Sequence, residues 1–533
     1  MTQSKEFDAV IVGAGISGMY QLHMLRQQGL SVRVYEAGTN VGGTWYWNRY
    51  PGARFDSESY SYAYSFSEEI LDEWRWKEHF SAQPDTLEYL NFVADKLDLR
   101  RDIQFETRVK SARYDKRAKR WTIETESGET ASSRYLVTAI GVLSEPYLPN
   151  FKGIDSFKGR SWHTWDWPRE DIDLSDKRVG VIGTGATAVQ MITEIAKNIG
   201  HLTVFQRTAN YILPLGNREI TDDEHGEIQA KQQQIFDRCE ETFGGFIHGF
   251  KDGSTFDLSK EEREALYEEL YQQPGFALWL GNYADILTDD AANAELSEFV
   301  QKKIRARIDD AEKARILVPN DHPFGTKRVP LDSGYYEAYN RDNVDIVSIK
   351  ETPIEAITEH GIKTSAKEYE FDIIIYATGF DAVTGAFTKM DIYGEDGTTL
   401  NEKWADGPRT YLGIQSQGFP NLFTVVGPHN GATFCNIPRC IEQNVEWVSE
   451  CIKHLEDNAI VSMQPKAQAE EEWTKHVHEV IEGTLIPKTD SWFLGANVEG
   501  KKRVFLLYAG GSPLFRERCD NEAASGYESF NLQ

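Results

Sequence analysis

Cysteine is scarce in this sequence, with five residues in 533, at positions 239, 435, 440, 451 and 519. An odd, sparse set does not build a disulfide framework, so free thiols in a reducing compartment are expected. Positive charge is also short: 57 Lys and Arg stand against 84 Asp and Glu, a formal charge of −27. That field repels phosphate backbones and anionic lipid, which argues against nucleic acid and membrane surfaces as partners. No apolar run reaches the about 18 residues that a spanning helix needs. Met1 to Phe7 is polar, without the basic head and apolar stretch of a secretory signal. A cytoplasmic protein, working as a monomer, is the resulting expectation. Apolar residues at 40% and aromatics at 12% still allow large cores, and the length suits several packed units at roughly 100–200 residues each.

The first motif follows a short apolar run, Phe7 to Val12. Gly13, Gly15 and Gly18 open a helical pattern carrying Met19, Leu22 and Leu25, and a second apolar run ends at Glu36. This is a βαβ unit with a purpose for each position. Gly13 permits the tight turn, Gly15 lets backbone approach a pyrophosphate, and Gly18 packs the helix on the sheet. Glu36, 23 residues after Gly13, is placed to accept from a ribose diol. The pattern returns at Arg178 to Ile182, followed by Gly183, Thr184, Gly185, Ala186, Thr187 and Ala188, a helix, and the strand Leu202 to Phe205. Here the second strand leads to Arg207 and Thr208 instead of an acid. A cation there suits a 2′-phosphate, so NADP(H) is favoured over NAD(H). The fold class is α/β, with two Rossmann-like dinucleotide-binding domains.

Between about Asn217 and Lys327 strand signals fade. Capping boxes at Thr221/Glu224 and Ser259/Glu262 and an apolar row Leu296, Val300, Ile304 and Ile308 predict a helical insertion. Asp289 and Asp290 fall at a helix start, where carboxylates favour the dipole. Asp372 to Gly379 and Asn421 to Pro428 read as buried strands that complete the nucleotide-binding sheets, as does Tyr135 to Gly141 in the first unit. The division follows: residues 1–145 and 386–533 form the first nucleotide domain, 146–216 and 328–385 the second, and 217–327 the insertion.

Phe157, Gly159, His163, Trp167 and Pro168 fit the pattern F-x-G-x-x-x-H-x-x-x-W-[PD], between the two glycine motifs. This resembles the fingerprint of the single-component Baeyer–Villiger monooxygenases, such as the cyclohexanone and phenylacetone enzymes. The blocks Gly42 to Gly52, Gly325 to Arg328, Ala377 to Asp381 and Ser491 to Asn497 are similar to the family's as well, so the likeness covers essentially the whole chain. It implies FAD in the first nucleotide domain and NADPH in the second. It also implies insertion of one oxygen atom of O2 beside a ketone carbonyl, through a C4a-peroxyflavin, to give an ester or lactone. That adduct must stay anionic. Arg328 is the candidate cation: at about 4 Å and an effective dielectric near 20, a unit charge is worth roughly 4 kcal/mol, or about three pKa units. The same charge suits the oxyanion formed on attack.

By the same resemblance Asp56 accepts hydrogen bonds from Arg328 and orients it. Lys327 joins Arg207 at the 2′-phosphate, with Thr208 and the stretch to Gln190 on the other phosphates. Trp492 packs beside the nicotinamide cofactor, which keeps bulk water out. Thr44, Trp45 and Tyr62 line the flavin, where Asp56, Val109 and Ile437 are also placed, and Arg54 and Arg328 are placed at the nicotinamide cofactor. His163 is read as a hydrogen-bonded hinge between domains instead of a base, and no metal is expected. The loop Gly431 to Pro438 and the surroundings of Phe493 and Leu494 shape the substrate pocket.

Other readings stay open. Cys435 and Cys440 form C-x4-C, but a disulfide reductase carries its pair just after the first glycine unit, where this chain has Gly43 to Tyr46. An N- or S-oxygenating flavin monooxygenase shares the domain plan. A non-catalytic sensor of nucleotide redox state would leave Arg328 and Asp56 without a purpose. Cyclic, aryl and steroidal ketones are all open as substrates.

Overall fold

The computed structural model describes residues 5–431 and 435–533. Two parallel cores organise it. In the first, the strand Lys5–Val12 lies between Val32–Tyr35 and Thr130–Thr138, parallel to both. All of Ala9, Val10 and Ile11 are fully buried, as a strand covered on both faces requires. Leu422–Thr424 pairs with the end of Thr130–Thr138, and Asp391–Tyr393 joins the far edge beside Val109–Asp115, so late chain completes this sheet. The antiparallel run Val109–Asp115, Arg120–Thr125 and Thr130–Thr138 was not foreseen, because the first two strands alternate half-exposed polar residues and look like loop in the sequence.

The second sheet has five strands in the order Val344–Ser348, His201–Gln206, Arg178–Ile182, Ile373–Tyr376 and Arg160–His163, all parallel. A small antiparallel sheet, Ile354–Ile357, Gly361–Thr364 and Glu368–Glu370, is appended to it. Its strands are too short for a period-two pattern to register.

The region after Asn217 is helical, as its capping boxes predict: both Thr221/Glu224 and Ser259/Glu262 bond reciprocally. Leu296, Val300 and Ile304 form the buried face of the helix Asp290–Arg305, whose N-cap Asp289 accepts from the amides of Ala291 and Ala292. The expectation that all the cysteines are free is corrected. Cys435 and Cys440 are joined by a disulfide with Cα atoms 6.7 Å apart, while Cys239, Cys451 and Cys519 are free and buried. Composition speaks to the compartment; the pairing follows from the helix Ile437–Asp457, whose first turn brings Cys440 back beside Cys435. Among the described residues no helix is long and apolar enough to cross a membrane.

Two crossing segments join the sheets. Tyr147 N–H donates to Gly379 O and Asp381 N–H to Glu145 O, each at 2.9 Å, and Thr378 Oγ1 donates to Tyr147 O. His163 sits at this crossing, its Nε2 at 3.1 Å from Gly379 O and its Nδ1 accepting from Trp165 N–H. Burial pushes its imidazole down to about 4, so it is neutral near pH 7.

Candidate active site

The two glycine turns are built alike. Gly13 and Gly183 have φ of +102° and +111°, and a Cβ on either would strike the carbonyl oxygen of Ala139 or Ala377, each just past the end of the neighbouring strand. At Gly185, by contrast, a Cβ would meet nothing within 4 Å. That open space faces the amide end of the helix Ala186–Ile195, and it fits a pyrophosphate. Ala188, fully buried, packs this helix on its sheet where Gly18 does so in the first unit. Glu36 is 5% exposed. It accepts from the amides of Ala14 and Gly38, both at 2.7 Å, and burial raises its carboxyl against those bonds. The acid thus stands at the mouth of the first turn, as a ribose partner must.

The segment from Gly42 to Asp56 connects one cradle to the other. Gly43 packs on Gly15. Thr44 and Trp45 begin the short helix Thr44–Trp47, and Trp45 Nε1 donates to Tyr62 Oη at 3.0 Å. Tyr62 in turn stacks on Phe55 at 4.1 Å. Further along, Tyr50 Oη donates to Gln190 Oε1 at 2.9 Å and Gln190 Nε2 donates to Arg54 O at 3.0 Å. Gln190 lies on the helix of the second glycine turn, so this side chain fastens Asp56's neighbours to the second nucleotide unit. Tyr50 lies in the block Gly42 to Gly52, but its part in this tie is visible only in three dimensions. Arg54 pairs with Glu78 at 3.1 Å.

Arg328 Nη2 and Asp56 Oδ2 meet at 3.2 Å, with side chains 26% and 10% exposed. The guanidinium carbon lies 4.5 Å from the centre of the Phe276 ring, and Phe276 abuts Phe246. Burial raises the Asp56 carboxyl, opposed by Arg328 and then Arg54; burial lowers Arg328, opposed by Asp56. A guanidinium still keeps its proton. Asp56 Oδ1 has no partner, so the carboxylate has capacity left for a ligand hydrogen bond. Asn210 Nδ2 donates to Arg328 O at 2.8 Å and anchors the backbone.

Lys327 and Arg207 face the same space. Burial lowers the Lys327 ammonium, Asp321 opposes this, and the nearby charges of Arg207 and Lys350 lower it further. Two cations acting on each other in this way are suited to an anion. Arg207 is exposed, and the adjoining Thr208 accepts through its carbonyl from Thr184 Oγ1. Thr326 Oγ1 and Thr489 Oγ1 are 2.8 Å apart, which brings the strap carrying Trp492 alongside Lys327. Trp492 is partly exposed and contacts Phe493, itself fully buried.

Val109 lies two residues past Thr107, whose N–H donates to Glu36 O at 2.8 Å. Val109 is buried in the core beneath the first sheet, and Ile437 begins the long helix behind Asn436. The sequence marks Asn436 only as part of the pocket loop, and its ties are not foreseen. Its Oδ1 accepts from Ser57 Oγ at 3.1 Å, its Nδ2 donates to Ser61 Oγ at 3.1 Å, and its N–H donates to Gly244 O. One residue thus pins the chain after Asp56, the insertion and the loop ending at Pro438. These partners are hundreds of residues apart, so no local pattern marks them. Within that loop, Ala432, Thr433 and Phe434 lie outside the described residues.

Two dinucleotide cradles, with a buried cation at the seam between them, define a flavoprotein oxidoreductase that uses a nicotinamide cofactor. Comparison with known proteins narrows the class. A family pattern described as flavin-binding monooxygenase-like matches residues 7–221. The chain is 45% identical over 527 residues to acetone monooxygenase (methyl acetate-forming) of Gordonia sp. strain TY-5, covering 98% of this chain and 99% of that protein. It is 44% identical over 533 residues to a Baeyer–Villiger monooxygenase of Pseudooceanicola batsensis, covering 99% and 96%. The solved structure of OTEMO in complex with FAD and NADP superposes with a TM-score of 0.96 at 44% identity, covering all of both chains. The chain belongs to the Baeyer–Villiger monooxygenases.

Proposed function

We propose that this chain oxidises a small ketone with O2 and NADPH, yielding an ester or lactone, NADP+ and water. The Arg328–Asp56 pair carries the reading. It lies where the segment leaving the first cradle meets the chain that flanks the second, so a fixed positive charge is held at that meeting.

The residues divide the work. The Gly13 turn and Glu36 hold FAD, and the Gly183–Gly185 turn holds the pyrophosphate of NADPH. Arg207 and Lys327 bind its 2′-phosphate, which distinguishes it from NADH. When bound, FAD supplies the redox chemistry that activates O2, with hydride from NADPH. Arg328 stabilises negative charge on oxygen as it builds at the ketone carbon. Asp56 keeps the guanidinium fork oriented, and the strap with Trp492 excludes water from the reacting centre. Neutral His163 serves the crossing between the sheets and takes no proton from substrate.

The reading includes a division into a first nucleotide domain (1–145 and 386–533), a second (146–216 and 328–385) and an insertion (217–327), and a monomer in the cytoplasm. Mass spectrometry of products from a panel of cyclic, aryl and aliphatic ketones with NADPH and air tests it. Gain of one oxygen with ester connectivity supports it; oxidation confined to an amine or sulfide contradicts it.

A further inference from the structure

Away from the two cradles, a cavity of about 360 Å³ lies between the segment Tyr60 to Trp76 and the helices Asp222–Ala230 and Gln232–Glu241. None of the cofactor or catalytic residues named above lines it. Trp74, Trp76 and Tyr89 form one wall, with ring centres 4.9 to 5.7 Å apart, and Phe236 stands among the other lining residues. The walls are tied instead of collapsed: Gln232 Nε2 donates to Tyr60 O at 2.7 Å and Gln229 Nε2 to Asp72 Oδ1 at 3.1 Å.

Two lining atoms lack partners. Trp74 Nε1 and His225 Nε2 are both buried from solvent and make no hydrogen bond. A buried indole N–H without an acceptor is costly, and a volume of this size with aromatic walls and few polar points matches a small-molecule site. No Lys or Arg lines the cavity, whereas Glu68 and Asp72 do, so an anion is disfavoured. Both acids are exposed residues, so the buried polar point is the Trp74 N–H, which calls for an acceptor oxygen on a flat molecule without charge.

We infer that this cavity binds a neutral aryl carbonyl compound, its ring against Trp76 and its carbonyl oxygen accepting from Trp74 Nε1. The site adjoins the catalytic wall. Trp76 contacts Phe55 edge-on at 5.9 Å, and Phe55 immediately precedes Asp56. The inference rests on the cavity's own geometry and stands apart from the oxygenation chemistry.

Equilibrium dialysis of the FAD-loaded enzyme with NADP+ present tests it, with 4-bromoacetophenone as the probe. One equivalent more is expected for the wild type than for Ile228→Trp, which fills the cavity. No binding by the wild type, or equal binding by the wild type and Ile228→Trp, overturns the site. The paired change Trp74→Phe/His225→Leu is milder and serves if the larger side chain prevents folding. It is expected to weaken that additional equivalent about fivefold, the worth of a hydrogen bond. Unchanged affinity in that variant overturns the assignment.

Discussion

Arg328 and Asp56, 272 residues apart in sequence, form an ion pair at 3.2 Å in which the second carboxylate oxygen has no partner. A pair taken largely out of water stabilises little by itself, because the desolvation of two charges offsets most of their attraction. Its value lies in orientation. Asp56→Asn keeps the volume and removes the charge, so the guanidinium loses its guide. Ester formation is expected to fall about 10- to 100-fold, with a loss of roughly 1–2 kcal/mol in stability for a pair partly open to solvent. Steady-state kinetics and urea unfolding check both, and full activity in this variant counts against the orienting role.

The positive charge of Arg207 acts on Lys327 and lowers its ammonium. Replacing both by glutamine is expected to lower the NADPH-over-NADH preference in kcat/KM by about a hundredfold, the worth of two charge-assisted hydrogen bonds. An unchanged ratio contradicts their role at the 2′-phosphate.

How far the sequence speaks depends on the range over which a residue does its work. Gly13, Gly15, Gly18 and Glu36 act within one βαβ unit, so their spacing states their role, and the structure puts Glu36 at the turn. The capping boxes at Thr221 and Ser259 are equally local. Gln190 could be placed on its helix, but its tie to Tyr50 and Arg54 comes from two sheets meeting. Asn436 with Ser57 and Ser61, and Phe276 beneath Arg328, are wholly non-local and leave no periodic trace. The Cys435–Cys440 bridge fails in the other direction: a global count masked a local geometry.

His163, held near 4 by burial, stays neutral in the folded protein where the unfolded chain takes up a proton. Below the ordinary histidine value near 6.5 the unfolded state binds more protons, so stability is lost as pH falls from about 6.5 towards 4. The slope is at most about 1.4 kcal/mol per pH unit. His429, pushed to about 3 by burial, adds in the same direction. Melting temperatures between pH 7.5 and 4.5 are expected to fall, less steeply in His163→Asn. An identical slope in that variant contradicts the assignment.

Thiol titration in denaturant is expected to find three reactive cysteines without reductant and five after reduction, corresponding to Cys239, Cys451 and Cys519 and then the Cys435–Cys440 pair. Five at the outset would show that the bridge does not form in solution.

The most direct measurement separates the two halves of the reaction in Arg328→Ala. Anaerobic stopped-flow absorbance follows reduction of bound FAD by NADPH, and product mass follows oxygen transfer to the ketone. Reduction is expected to persist within about tenfold while ester falls by at least about a thousandfold, the loss of an electrostatic stabiliser of the reacting oxygen. Ester formed at the wild-type rate by this variant would show that the charge at 328 is not what drives oxygen into the ketone.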